Sequence, residues 1–187
     1  GYYILRKGPY NNFYGCSEFP KCKDTKSVAD FIYLYLLLNG LNLYEEKVNC
    51  WKCGKEISVL SYFLDLDLKL NKVPIPYFEA LEAVRLGMIE EIDNYLSKKY
   101  STLKYRFSKK AGFSYTANVC PYCNNIQGAQ MALGKIYNDF LKDLEENKLK
   151  YKIKEKILIS KNLFSKETIR EIVEVAMDRD RTGIFDF

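Results

Sequence analysis

"KVNCWKCG", residues 47–54, and "NVCPYCNN", residues 118–125, are the two stretches on which the reading of this chain turns. Each holds a CxxC loop, which can aim two thiolates at one ion, and a closed tetrahedral site wants four. The six cysteines fall into three close pairs, Cys16/Cys22, Cys50/Cys53 and Cys120/Cys123, and there is no histidine. In a reducing compartment such spacing favours a metal over disulfides. The expectation is a Zn²⁺ held by Cys50, Cys53, Cys120 and Cys123, which would close a long loop and contribute to folding. The 66 residues between Cys53 and Cys120 exceed ordinary ribbon spacing, so the ribbon carries a large insertion. The competing readings are unpaired buried cysteines or a single redox-active CxxC, the latter disfavoured because neither motif follows a strand in a βαβ unit.

The bulk composition narrows the classes. At 187 residues, 48% hydrophobic and 15% aromatic, the chain is long and apolar enough to fold around a core. Its longest apolar run, "FIYLYLLL" at 31–38, is too short to cross a bilayer and reads as a buried helix. No charged-then-apolar leader opens the sequence, so a cytoplasmic protein without a membrane partner is expected. The lack of histidine removes Ser-His-Asp and Cys-His catalysis. No glycine-rich phosphate loop is present, so ATP or GTP use is not expected.

Local patterns supply an outline. "YYIL" and "FYG" read as two strands around the turn residues of "RKGPYNN". A helix follows from Ser27, where Ser27 and Asp30 form a capping pair and Asn39-Gly40 a stop. "ISVLSYFLDLDLKL" alternates as a strand until Pro74 and Pro76. A helix over 77–99 would bury Phe78, Leu81, Val84, Met88, Ile92 and Tyr95 on one stripe. "TLKYRFSKK" and "FSYTANV" then form a hairpin across Ala111-Gly112. Residues 127–148 and 166–178 read as amphipathic helices, the second capped by Ser165 with Phe164 stapled to Ile169. "KLKYKIKEK" between them is a linker or a basic strand. The expected fold class is α+β, with zinc-ribbon-like β-hairpins and inserted and C-terminal helices. Its parts would be a finger hairpin at 1–26, an expanded ribbon at 27–128, and a helical region packed on it at 129–187.

The N-terminal stretch "LRKGPYNNFYGCSEFPKCKDT", residues 5–25, resembles the second half of the four-cysteine zinc finger of type IA DNA topoisomerases. The matching residues are Leu5, Arg6, Gly8, Phe13, Gly15, Cys16, Ser17, Phe19, Pro20 and Cys22. The family's first CxxC would sit before Gly1 and is not in this sequence. Three readings follow: the chain is part of a longer protein that carries that CxxC, Cys16 and Cys22 join Cys50 and Cys53, or they are a relict pair without metal. The first and third are favoured, because the two CxxC knuckles match each other. The spaced residues Ser108, Ala111, Gly112, Ser114, Tyr115, Ala117, Asn118, Cys120, Pro121, Cys123, Gln127 and Gly128 resemble a motif of uncharacterised bacterial zinc-ribbon-like proteins. That second resemblance supports pairing the knuckles and implies no activity.

The first resemblance implies single-stranded DNA binding, and the charge pattern points the same way. Six of the lysines and arginines lie in residues 95–120, which hold no acidic residue, while the whole chain carries only +5. A local excess of this kind suits an anionic partner. Phosphate contacts are expected from Arg6, Lys7, Lys104, Arg106, Lys109 and Lys110, and base stacking from Tyr10, Tyr14 and Tyr115. The plainer alternative puts Leu103, Tyr105 and Phe107 in the core, with Lys104 and Arg106 merely solvated. Two other functions stand beside nucleic-acid binding. One is a protein-interaction module docking a partner through the C-terminal helices and the "GIFDF" tail. The other is a metal-dependent nuclease using Asp65, Asp67 and Lys69, a D-x-K pattern that also fits an edge strand.

Overall fold

Ser27 is where the chain changes from strand to helix. In a computed structural model of the chain, its Oγ accepts the Asp30 N–H at 3.1 Å and so caps helix α1 (Val28–Asn39). Gly40, at φ 71, ends α1 by taking a left-handed turn that a Cβ would strain. The structure describes residues 1–10, 12–62, 85–128, 152–160, 163 and 165–171. Asp65, Asp67, Lys69, the 77–84 segment, most of the 127–148 helix, Phe164 and the "GIFDF" tail lie outside them.

The chain divides into two compact units. The first contains Gly1–Gly40 and the described residues from Leu158 onward. Strands β1 (Tyr3–Lys7), β2 (Asn12–Cys16) and β3 (Thr25–Ser27) form an antiparallel sheet in the order β1-β2-β3. The hairpin matches the expected one; β3 is an addition that the sequence pattern does not reveal. Tyr14 lies flat on Phe31 of α1, ring centroids 3.8 Å apart, and Tyr3 meets the same ring edge-on. A helical run at 166–171 begins at the expected cap, the Ser165 Oγ accepting the Thr168 N–H at 3.1 Å. Lys166 and Arg170 both reach the Asp30 carboxylate, at 3.0 and 3.3 Å.

The second unit comprises the described residues of Leu41–Leu64 and Val84–Ile157. Its first sheet has the order β5-β4-β9, from β4 (Leu41–Asn49), β5 (Glu56–Tyr62) and β9 (Lys152–Ile157). The basic segment after residue 150 is thus a strand, paired with β4 across more than a hundred residues of sequence. Its second sheet has the order β6-β7-β8, from β6 (Leu103–Ser108), β7 (Phe113–Val119) and β8 (Ile126–Gln127). Gln127 is therefore strand, not the start of a helix as its pattern suggested.

The helix expected over 77–99 is shorter. The chain turns at residues 86–88, with Gly87 at φ +92, and α2 runs only from Glu90 to Lys99. Its buried face is Ile92, Asp93 and Leu96, preceded by buried Ile89, while Met88 and Tyr95 are exposed. A stripe drawn straight through Gly87 therefore picks the wrong phase. Glu90, Glu91 and Asp93 in the first turn and Lys98 and Lys99 in the last suit the helix dipole. The combined α+β content of helices and antiparallel sheets agrees with the expected class. No helix among the described residues is long and apolar enough to cross a membrane.

Asp93 is a buried carboxylate that fixes the Gly87 turn. It accepts the Tyr62 hydroxyl at 2.8 Å and the Gly87 N–H at 2.9 Å. Burial pushes its pKa up to about 7, against the two hydrogen bonds, which favour the charged form. The folded state therefore holds a proton that the unfolded chain releases near pH 4, and stability falls as pH rises from about 4 to about 7. Asparagine keeps the shape without the charge. Denaturant unfolding across this range should show Asp93→Asn gaining on the wild type, by up to about 4 kcal/mol, then levelling off. A pH-independent difference would overturn the assignment.

Candidate metal centre

Both CxxC motifs are hairpin turns of the same build. The first joins β4 to β5, where Asn49 pairs with Glu56, and the second joins β7 to β8, where Val119 pairs with Ile126. In the first, the Cys50 N–H donates to the Lys55 carbonyl at 2.8 Å and the Gly54 N–H to the Cys50 carbonyl at 2.9 Å. In the second, the Cys120 N–H donates to Asn125 and the Asn124 N–H to Cys120, both at 2.9 Å. The pattern repeats down to the residue that must turn left-handed, Gly54 at φ 72 and Asn124 at φ 56. Glycine and asparagine are the residues that accept this conformation most readily.

The two turns meet sulfur to sulfur. The Sγ atoms of Cys50, Cys53, Cys120 and Cys123 all lie within 4.8 Å of one another, a group able to hold a metal ion. Cys50 Sγ is 3.6 Å from Cys123 Sγ, and Cys53 Sγ is 3.7 Å from Cys120 Sγ. A tetrahedron with metal–sulfur bonds of about 2.3 Å has sulfur–sulfur edges of about 3.8 Å, so the four thiols fit such an ion. A disulfide, at about 2.05 Å, does not describe these pairs, and all six cysteines are free.

The surroundings favour charge on two of the four sulfurs, Cys50 and Cys123. Burial opposes the Cys50 thiolate, but the Cys53 and Lys52 N–H groups outweigh it and its pKa falls to about 6. The Asn125 backbone N–H lowers that of Cys123. Cys53 goes the other way: the Lys55 N–H favours its thiolate, but burial and hydrogen bonds with Cys50, Cys120 and Cys123 together push its pKa up to about 11. Cys50 and Cys120 are buried against Ile57 and Val59, with Val48 and Cys123 beside them.

Three residues that the charge and cysteine patterns did not single out hold the two sheets in place. Gln127, buried, donates Nε2 to Cys50 Sγ at 3.3 Å and to the Asn125 carbonyl at 3.0 Å. The Trp51 indole N–H donates to the Ile126 carbonyl at 2.6 Å, tying the first knuckle to the strand after the second. Asn118, also buried, bridges β7 to β5: its Oδ1 accepts the Leu60 N–H at 2.8 Å and its Nδ2 donates to the Leu60 carbonyl at 2.7 Å. The signal was present in the spaced motif containing Asn118 and Gln127, but only the folded chain gives these residues a job.

The expected nucleic-acid residues divide. Lys104, Arg106, Lys109 and Lys110 are exposed on and beside the β6–β7 hairpin. Arg106 pairs across the strands with Tyr115, so the two share a face with Lys104 and Phe113. Tyr105 and Phe107 do not face the core; they are 71% and 60% exposed. Tyr115 is half-buried beside Phe113, ring centroids 5.7 Å apart. In the first unit Lys7 and Tyr10 are exposed, while Arg6 donates to the Cys16 carbonyl at 3.1 Å and stacks on Phe19. Tyr14, at 6% exposure, is a correction: Phe31 covers its ring, so no base can stack there. Cys16 and Cys22 belong to the first unit and are not among the four clustered sulfurs, and a hydrogen bond with Cys22 raises the Cys16 pKa.

No protein-family model, no curated protein and no solved structure matches this chain.

Metal analysis of the purified chain should find one ion per molecule, lost with Cys50→Ser or Cys120→Ser and kept with Cys16→Ser. Gln127→Leu should retain the fold but weaken metal affinity about 10- to 100-fold in chelator competition, the usual cost of losing an outer-shell partner. An unchanged affinity would remove Gln127 from the site.

Proposed function

We propose that this chain is a zinc-dependent nucleic-acid-binding protein that favours single-stranded DNA and carries no catalysis in the described residues. The knuckle geometry supports a zinc ribbon, since a closed four-thiolate site suits a redox-inert structural ion. The observation that carries the reading is the β6–β7 hairpin. A strand pair normally buries one face, but here every β6 residue from Lys104 to Phe107 is exposed: Lys104 and Arg106 share one side with Phe113 and half-buried Tyr115, and Tyr105 and Phe107 stand on the other. Among the described residues no carboxylate pairs with Lys104, Lys109 or Lys110, and residues 95–120 contain none. Phosphates would release counterions on meeting those cations, and bases would stack on Tyr105, Phe107 or Phe113.

The topoisomerase-type resemblance of residues 5–25 adds a second, smaller surface at Lys7 and Tyr10. It supports the choice of single strands over duplex, because exposed rings engage only unstacked bases. The protein-interaction reading rests on the C-terminal helices, described only at 166–171, and on the tail; the nuclease reading rests on Asp65, Asp67 and Lys69, which with the tail lie outside the described residues.

Fluorescence anisotropy of a labelled single-stranded oligonucleotide across a salt series tests the reading. Affinity should fall steeply with salt and exceed that for duplex of the same length. The Lys104/Arg106/Lys109/Lys110→Ala variant should reduce the slope of log affinity on log salt by up to about 3, at roughly 0.7 per lost phosphate contact. No binding at low salt by metal-loaded protein would refute it.

A further inference from the structure

The tips of the two cysteine knuckles carry aromatic rings that the core does not use. Trp51, between Cys50 and Cys53, is 55% exposed, and Tyr122, between Cys120 and Cys123, is 61% exposed. Large rings are ordinarily among the most buried side chains on average, so two at adjoining tips of one centre call for a cause. Neither is loose. The Trp51 indole is pinned along one edge by its bond to the Ile126 carbonyl, which leaves ring surface open while fixing its direction. Lys55, after the other knuckle, lies over one face of the Tyr122 ring, its Nζ 4.5 Å from the centroid, and leaves the opposite face open. Ring surface that is fixed and uncovered loses little conformational freedom when a flat partner lands on it.

Charge around the tips chooses the partner. Lys52 and Lys55 are exposed beside Trp51 and Tyr122. Arg106 of the basic hairpin reaches the second knuckle, its guanidinium donating to Asn124 Oδ1 at 3.2 Å. The amide is neutral, so the cation stays available to an anion. A path of positive charge thus runs from the hairpin to the knuckle tips, with aromatic surface along it. An apolar protein partner would not need those cations, and an acidic one would not need open rings; phosphates joined to bases use both.

We propose that the knuckle tips form a stacking platform for single-stranded DNA, in which Trp51 and Tyr122 take unpaired bases and Lys52, Lys55 and Arg106 take the flanking phosphates. This rests on the nucleic-acid reading of the hairpin and extends it to the metal centre. The ion then has a role beyond stability: by clasping the two CxxC turns it sets both rings on one surface. Duplex is rejected there because its bases are already stacked on each other.

The chain has a single tryptophan, so Trp51 reports on its own site. The full metal-loaded chain is titrated with an oligothymidylate of about 15 nucleotides, the upper range of a single-strand site, and with an abasic strand of equal length. Binding is followed by anisotropy and by Trp51 emission together. The oligothymidylate should quench Trp51 along the anisotropy isotherm, and the abasic strand should bind more weakly without quenching. Tyr122→Leu, with metal content unchanged, should weaken oligothymidylate binding about 5- to 150-fold, the range for one lost base stack. Saturation by anisotropy with unaltered Trp51 emission would overturn the platform while leaving the hairpin reading intact. Absence of binding in both signals would overturn the two together.

Discussion

The join between the two sheets of the second unit centres on four sulfur atoms drawn to one point. The strands that end in Cys50 and Cys120 belong to different sheets, and each sheet is small. A three-stranded sheet with one exposed side has little core of its own, so what joins the two sheets matters more than what lies within either. Cross-linking a loop of the 66 residues between the knuckles restricts the unfolded chain by about 4 kcal/mol if treated like a covalent bridge. That is a large share of the 5–15 kcal/mol by which domains are ordinarily stable. An ion bound by the four thiolates would in consequence make metal binding and folding of this unit one equilibrium.

The protein supports the centre with groups that are not ligands. Asn118 behaves as a piece of extra strand, offering a donor and an acceptor to Leu60 at the spacing of a backbone ladder. Gln127 spends one amide hydrogen on a ligand sulfur and the other on the neighbouring turn. Both are buried and satisfied, which is the condition under which a polar core residue specifies an arrangement rather than weakening it. Above this layer the surface turns basic and aromatic. The proposed binding function grows from that order, with buried polar links below, the four clustered thiols in the middle and open rings at the tips.

Much of this was legible in the residues because it is local. A CxxC with glycine or asparagine after it prescribes its own turn, and the repeated motif announced a pair. Ser27 with Asp30, Gly40, and the alternation of "FSYTANV" likewise encode α1 and β7 within a few residues. What the pattern could not carry is pairing over distance. Residues 41–49 form the central strand of a sheet whose edge arrives from 152–157, and nothing in either stretch names the other. The long helix failed at Gly87, where one positive φ resets the phase of the stripe. Tyr14 lost its expected exposure, and Tyr105 the core place that the plainer alternative gave it, for a related reason. A tyrosine's fate depends on whether a neighbour covers it, and Phe31 covers the first while no described residue buries the second.

The most direct test of the central claim is X-ray absorption at the zinc edge of the purified chain. Four sulfur scatterers at about 2.3 Å, with no nearer oxygen or nitrogen, would establish one closed centre built from the two knuckles. A mixed sulfur and oxygen shell, or a metal-free protein that is nevertheless folded, would contradict it, since the hydrogen bonds of Asn118, Gln127 and Trp51 would then suffice to join the two sheets without an ion.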